Sequence, residues 1–212
     1  MSDTLHALSQ GELLALALEA SRRLDTGHAM AYLKEACSRT DAQPQALFML
    51  GSEYAQLGLM EEAKAHMARA VEAAPGFAIA RFQLGMLHIT SGEVEHARAA
   101  WEALAELPEG HPQRYLTAFH RGMLHLVADE FDAAIAELQQ GLAQNQENEA
   151  LNGDMRKVID AIEHLPGREG LVPPAGAPAP VEPAIAAPAP ADTDVEPSHL
   201  FINAYMHRGK PH

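Results

Sequence analysis

Phe82-Gln83-Leu84-Gly85-Met86-Leu87-His88-Ile89 recurs nearly letter for letter as Phe119-His120-Arg121-Gly122-Met123-Leu124-His125-Leu126, and a looser copy stands upstream as Phe48-Met49-Leu50-Gly51-Ser52-Glu53-Tyr54-Ala55. The first step between copies is 34 residues and the second is 37, the same period with three residues inserted. Self-similarity at such a period is the signature of a repeat architecture, in which each unit buries its apolar face only against its neighbours. The scaffold is therefore more legible than the partner.

Composition agrees. Of 212 residues 47% are apolar but only 5% aromatic, which suits helices packed through Ala and Leu better than a sheet. The formal charge of −14 sets the protein's own field against a polyanion, so nucleic acid is not expected as a partner and a polypeptide is. The single cysteine, Cys37, excludes an intrachain disulfide and a four-thiolate metal site. Met1-Ser2-Asp3-Thr4-Leu5 lacks the basic and apolar run of a secretory signal. No stretch approaches the ~20 apolar residues of a membrane span. The expectation is a cytoplasmic protein with no membrane insertion.

Punctuation divides the chain into helix pairs. Ser9 and Glu12 make a capping box ahead of Leu13, Leu14, Leu16 and Leu18, and Asp25-Thr26-Gly27 separates this run from Ala29 to Arg39. Pro44 opens the next pair, Gly58 marks its turn and Pro75 closes it. The following pair turns at Gly92 and ends at Pro108, where Pro108 to Arg114 form a longer loop carrying the inserted residues. After residue 148, Leu151, Met155, Val158, Ile159 and Ile162 lie at helical spacing with Asp154, Arg156, Lys157 and Asp160 between them, as in a capping helix with a polar outer face.

These residues resemble the tetratricopeptide repeat pattern. Leu47, Leu50, Gly51, Tyr54, Ala63, Met67, Ala70 and Pro75 fill its slots in one copy, and Leu84, Gly85, Ala97 and Trp101 in the next. Departures are Arg81 and Ala118 at the large apolar position, His88 and His125 at the tyrosine, and Gly141 at a later alanine. The resemblance implies an all-α, right-handed superhelical solenoid, with repeats near 10–43, 44–77, 78–111 and 115–148 and a capping helix over 148–165, together a domain over 1–165. The glycines Gly51, Gly85 and Gly122 are expected to face Ala63, Ala97 and Ala134 at close approach across each hairpin.

By the same resemblance the first helix of each hairpin lines a concave peptide-binding groove. Its slots hold Leu14 and Leu18, then Phe48, Ser52 and Ala55, then Phe82, Met86 and Ile89, then Phe119, Met123 and Leu126. Three phenylalanines flanked by methionines predict a flexible apolar trough. The Lys, Arg and Asn side chains with which some family members grip a terminal carboxylate are missing from these slots.

Beyond residue 165 the composition changes. Residues 166–197 hold nine prolines amid Ala and Gly, which predicts a disordered linker that packs no core. It is followed by an apolar run in which Leu200, Phe201, Ile202, Tyr205 and Met206 read as a docking peptide over 198–212. That peptide is expected to engage a partner, a second copy, or the groove of its own chain.

The expected function is a protein-binding scaffold or adaptor. The alternative is a cytosolic chaperone for a secretion-system substrate or component. No phosphate-binding glycine loop, nucleophile elbow or Cys-His pair is present, so neither an enzyme nor a cofactor is expected. Twelve histidines raise metal binding, but His88, His120 and His125 lack the spacing of a zinc site, and no metal is assigned.

Overall fold

The computed structural model describes residues 5–165. The expected linker over 166–197 and the expected docking residues Leu200, Phe201, Ile202, Tyr205 and Met206 lie outside them.

Among the described residues the regular structure is nine helices: α1 Gln10–Arg22, α2 Thr26–Ser38, α3 Pro44–Gln56, α4 Met60–Ala73, α5 Ala78–Thr90, α6 Val94–Ala105, α7 Tyr115–Val127, α8 Phe131–Gln144 and α9 Glu149–Glu163. Each packs on the next, so α1/α2, α3/α4, α5/α6 and α7/α8 are antiparallel hairpins stacked into an all-helical solenoid, and α5 also touches α7. None of these helices is long and apolar enough to cross a membrane.

Local chemistry sets the ends. The Ser9 amide donates to Glu12 Oε2 at 2.8 Å while the Glu12 amide donates to Ser9 Oγ at 3.3 Å, a reciprocal cap on α1. Asp25 caps α2 and Asn148 caps α9 in the same one-sided way, each accepting an amide from three residues on. Pro44 occupies the first turn of α3, where its missing N–H is not needed.

One turn geometry repeats through the stack. Leu24, Gly58, Gly92 and Asp129 hold φ of 57°, 73°, 76° and 60° at equivalent positions between the two helices of each hairpin. Left-handed backbone costs an L-residue about 1–2 kcal/mol. Two hairpins avoid that strain with glycine, and two carry it.

Close approach is the other fixed feature. A Cβ on Gly51 would meet Met67 Cγ at 3.0 Å and the Ala63 carbonyl oxygen at 3.2 Å, and one on Gly122 would meet Leu138 Cγ at 2.7 Å. At Gly85 it would overlap the Trp101 indole. Ala63, Ala97 and Ala134 are fully buried as expected. The bodies that press on the glycines, however, belong to Met67, Trp101 and Leu138, one helical turn further on. Gly141 makes the same kind of room, since a side chain there would overlap the Phe119 ring. Its departure from alanine makes space for a phenylalanine.

The core is graded along the stack. Leu13, Ala17, Leu33, Ala36, Leu47 and Leu50 fill the N-terminal half. From Ala78 onward a larger cluster joins Phe82, Trp101, Phe119, Met123 and Leu138 to the apolar side of α9.

Candidate functional site: the concave pocket

The helix α9 does more than cover the last hairpin. Its Leu151, Met155, Val158, Ile159 and Ile162 are all buried, in one cluster with Phe82 and Ile89 of α5 and Met123 and Leu126 of α7. It is therefore laid along the inner wall. Between it and the α3 and α5 wall remains a pocket of about 120 Å³. Ser52 and Ala55 of α3 form one side, Phe82 and Met86 of α5 the floor, and Leu151, Met155 and Val158 of α9 the far side.

Two hydroxyls at this pocket are satisfied internally. Ser52 Oγ donates to the Phe48 carbonyl at 3.1 Å, and Thr90 Oγ1 donates to the Leu87 carbonyl at 2.8 Å. Asp154 brings a carboxylate to the edge, with Lys157 Nζ 4.0 Å away. Met60, Met67, Met86 and Met155 supply four thioethers, side chains that reshape around an occupant at little cost.

The expected groove residues divide. Ser52, Phe82 and Met86 meet at the pocket. Phe119 and Met123 are fully buried, with Leu126 at 2% and Ile89 at 8% exposure, so these four lie within the apolar core cluster. Phe82 is likewise 0% exposed, while still lining the pocket. Its centroid lies 5.9 Å from Trp101 and 6.2 Å from Phe119, and Phe119 lies 5.6 Å from Tyr115, an aromatic row through the third and fourth hairpins. The Trp101 indole N–H donates to the Phe82 carbonyl at 2.9 Å, fixing the centre of the row. Phe48 is half-buried against Phe77 at 5.2 Å, and Leu14 is half-buried in the N-terminal cluster. Leu18, 45% exposed, stands clear of the pocket.

The α9 residues were legible as a cap but not as a pocket wall. Their spacing shows an apolar side, whereas the curvature that brings it opposite α3 is a property of the whole stack. Met60 and Met67, both from α4, the second helix of its hairpin, also line the pocket and carry no repeat-slot signal for it.

A polar cluster lies at the turn of the third hairpin. Lys64 Nζ, with a side chain only 8% exposed, sits 2.7 Å from Glu61 and 2.9 Å from Glu93. The other Glu93 oxygen accepts from His88 Nδ1 at 2.6 Å. These hydrogen bonds, Lys64 first and His88 second, hold the Glu93 carboxyl down to about 2. The imidazoles of His88 and His96 are stacked with centroids 5.3 Å apart. Along the sequence His88, His120 and His125 lack the spacing of a zinc site. Yet the turn folds His88, Glu93 and His96 together, a juxtaposition that a separation of eight residues across a helix boundary does not announce. Burial pushes the Cys37 thiol up to about 11, which disfavours the reactive thiolate.

Residues 44–77 match the tetratricopeptide repeat family. No curated protein matches the chain in sequence. Among solved structures, "Crystal structure of MamA" is 20% identical, with a TM-score of 0.54 over 68% of this chain and 81% of that one. "MamA RS-1 ArsTM double mutant" is 15% identical, with a TM-score of 0.53 over 76% of this chain and 86% of that one. At these identities the likeness is one of fold.

Proposed function

We propose, on the premise that residues 44–77 are a tetratricopeptide repeat within a solenoid of that fold, that the protein is a binding scaffold. Its concave pocket takes one apolar side chain of a bound polypeptide. The observation that carries the reading is the methionine-lined space left where α9 crosses the inner wall. An enclosed apolar cavity of about 150 Å³ accommodates benzene. A pocket of about 120 Å³ therefore suits a side chain of leucine or methionine size.

The segment 198–212 is the occupant the sequence offers, through Leu200, Phe201, Ile202, Tyr205 or Met206. The 32 residues of 166–197 that separate this segment from the described helices supply chain length for it to reach the groove of its own or a second copy. On this reading the tail occupies the groove until a partner with a better apolar anchor displaces it.

The test is a titration of a fluorescent 198–212 peptide against the protein shortened to residue 197. Saturable binding is expected, abolished by Met86→Glu, which places a charge in the apolar pocket. Removing 198–212 should also raise the binding of an apolar dye. Unchanged dye binding, together with a peptide that ignores Met86→Glu, would remove the tail from the groove.

A further inference from the structure

The cluster at the third hairpin turn has the donor set of a metal site. His88 stands on the last turn of α5, Glu93 immediately precedes α6, and His96 is the third residue of α6. The Glu93 amide donates to the His88 carbonyl at 2.8 Å, closing the turn that Gly92 permits with its φ of 76°. One donor atom from each of the three side chains lies within 4.8 Å of the others.

The carboxylate is already oriented. Lys64, from the preceding hairpin, holds Glu93 Oε1 at 2.9 Å and leaves Oε2 directed at His88. Such an outer partner fixes a metal ligand in place before the ion arrives. Repeat symmetry singles this turn out. The fourth hairpin copies the pair as His125 and Glu130, with Nδ1 and Oε2 at 2.5 Å, but has Ala133 where His96 would stand. The second hairpin has Tyr54, Leu59 and Glu62 at the three positions.

We infer that His88, Glu93 and His96 form a binding site for a divalent transition-metal ion. Two imidazoles and one carboxylate suit zinc and its neighbours, whereas magnesium and calcium prefer all-oxygen shells. The ion takes the place of the proton that His88 shares with Glu93. His96 is exposed, so the fourth position of a tetrahedral ion faces solvent and takes water or a donor from a bound partner. Binding there staples the end of α5 to the start of α6.

The experiment is calorimetric titration of the metal-stripped full chain with Zn²⁺, and with Mg²⁺ as the contrasting ion. Other histidines, among them His199, His207 and His212, contribute background, so the decisive comparison is with His96→Ala in the full chain. Loss of an outer-shell partner alone typically weakens a site about 10–100-fold. His96→Ala should therefore remove one tight Zn²⁺ equivalent with at least tenfold loss, while helicity is unchanged. Ala133→His, beside His125 and Glu130, should install a second equivalent. Zn²⁺ should move the ring proton resonances of His88 and His96 at one equivalent. Equal Zn²⁺ stoichiometry and affinity in parent and His96→Ala, Mg²⁺ binding as tight as Zn²⁺, or His88 and His96 resonances that do not respond would overturn the site.

Discussion

Replacing Gly85 by alanine adds one methyl group, and the hairpin has no space for it. The new Cβ would overlap Trp101 Nε1 and Cε2 and lie 2.6 Å from Cδ1, and the indole is 1% exposed with no direction in which to retreat. Overpacking of this kind costs about 1–3 kcal/mol. Moving the ring also breaks its 2.9 Å bond to the Phe82 carbonyl, leaving buried groups unpaired at about 1–3 kcal/mol. Against this, alanine improves the helix interior by about 1 kcal/mol. The net loss is about 3 kcal/mol, and for a chain of this size each kcal/mol moves the melting point by about 2–4 °C. Circular dichroism should therefore place Gly85→Ala about 6–12 °C below the parent. Two further substitutions make the result diagnostic. Gly51→Ala meets only the flexible Met67 side chain and a carbonyl at 3.0–3.3 Å and should fall within about 1 kcal/mol of the parent. Gly153→Ala in α9 meets nothing within 4 Å and should stabilise by about 1 kcal/mol. If Gly85→Ala melts with the parent, or above Gly51→Ala, the reasoning from close approach fails.

Further expectations follow from other parts of the stack. Burial takes the His120 imidazole from about 6.5 to about 4, with its Nδ1–H bond to the Leu116 carbonyl opposing the shift. The folded chain thus favours the neutral ring, and the contribution is complete above pH 6.5 and lost as pH falls from 6.5 to 4, on the order of 3 kcal/mol. Denaturant melts of His120→Leu against the parent should show that acid slope removed, and parallel slopes would refute it. Asn152 is joined to Asn145 by two hydrogen bonds, at 2.9 and 3.0 Å, which lock α9 to the end of α8. Asn152→Ala should cost about 1–3 kcal/mol and loosen the far wall of the pocket, read as faster hydrogen exchange in α9 ahead of the other helices. Leu24 has a φ of 57° and is 76% exposed. Leu24→Gly should therefore relieve strain at little packing loss and stabilise by up to about 1 kcal/mol, read as a slightly higher melting point, whereas Gly58→Leu should lower it.

The repeat was legible because its marks are local: Gly51, Gly85 and Gly122 at the close approaches of three hairpins, Pro44, Pro75 and Pro108 at the boundaries between repeats, and Gly58 and Gly92 in two of the turns. The face of the phenylalanines was not. Slot counting puts Phe82 and Phe119 on the concave surface, but both are fully buried. Gly141 hollows a seat for Phe119, and Trp101 takes Phe82. Those pairings span 22 and 19 residues and depend on which side chains are missing opposite. The α9 wall failed to show for a related reason, since spacing gives its apolar side but not what the superhelix sets before it. The His88, Glu93 and His96 cluster needs the tight turn at Gly92 to exist at all.

The uneven distribution of large side chains sets the order of assembly against the order of synthesis. Trp101, Phe82 and Phe119 all belong to the third and fourth hairpins, while the first hairpin closes on Leu13, Leu33 and small residues. In a solenoid, stability is nearly a sum over layers and the joints between them. The layer that leaves the ribosome first is thus the one least able to stand by itself. At about 5–20 residues per second it waits on the order of 5–20 s for the aromatic layers to emerge. The expected order of consolidation therefore runs from the carboxyl-terminal hairpins toward the amino end, and pulsed hydrogen exchange during refolding should show α5–α8 protected before α1 and α2.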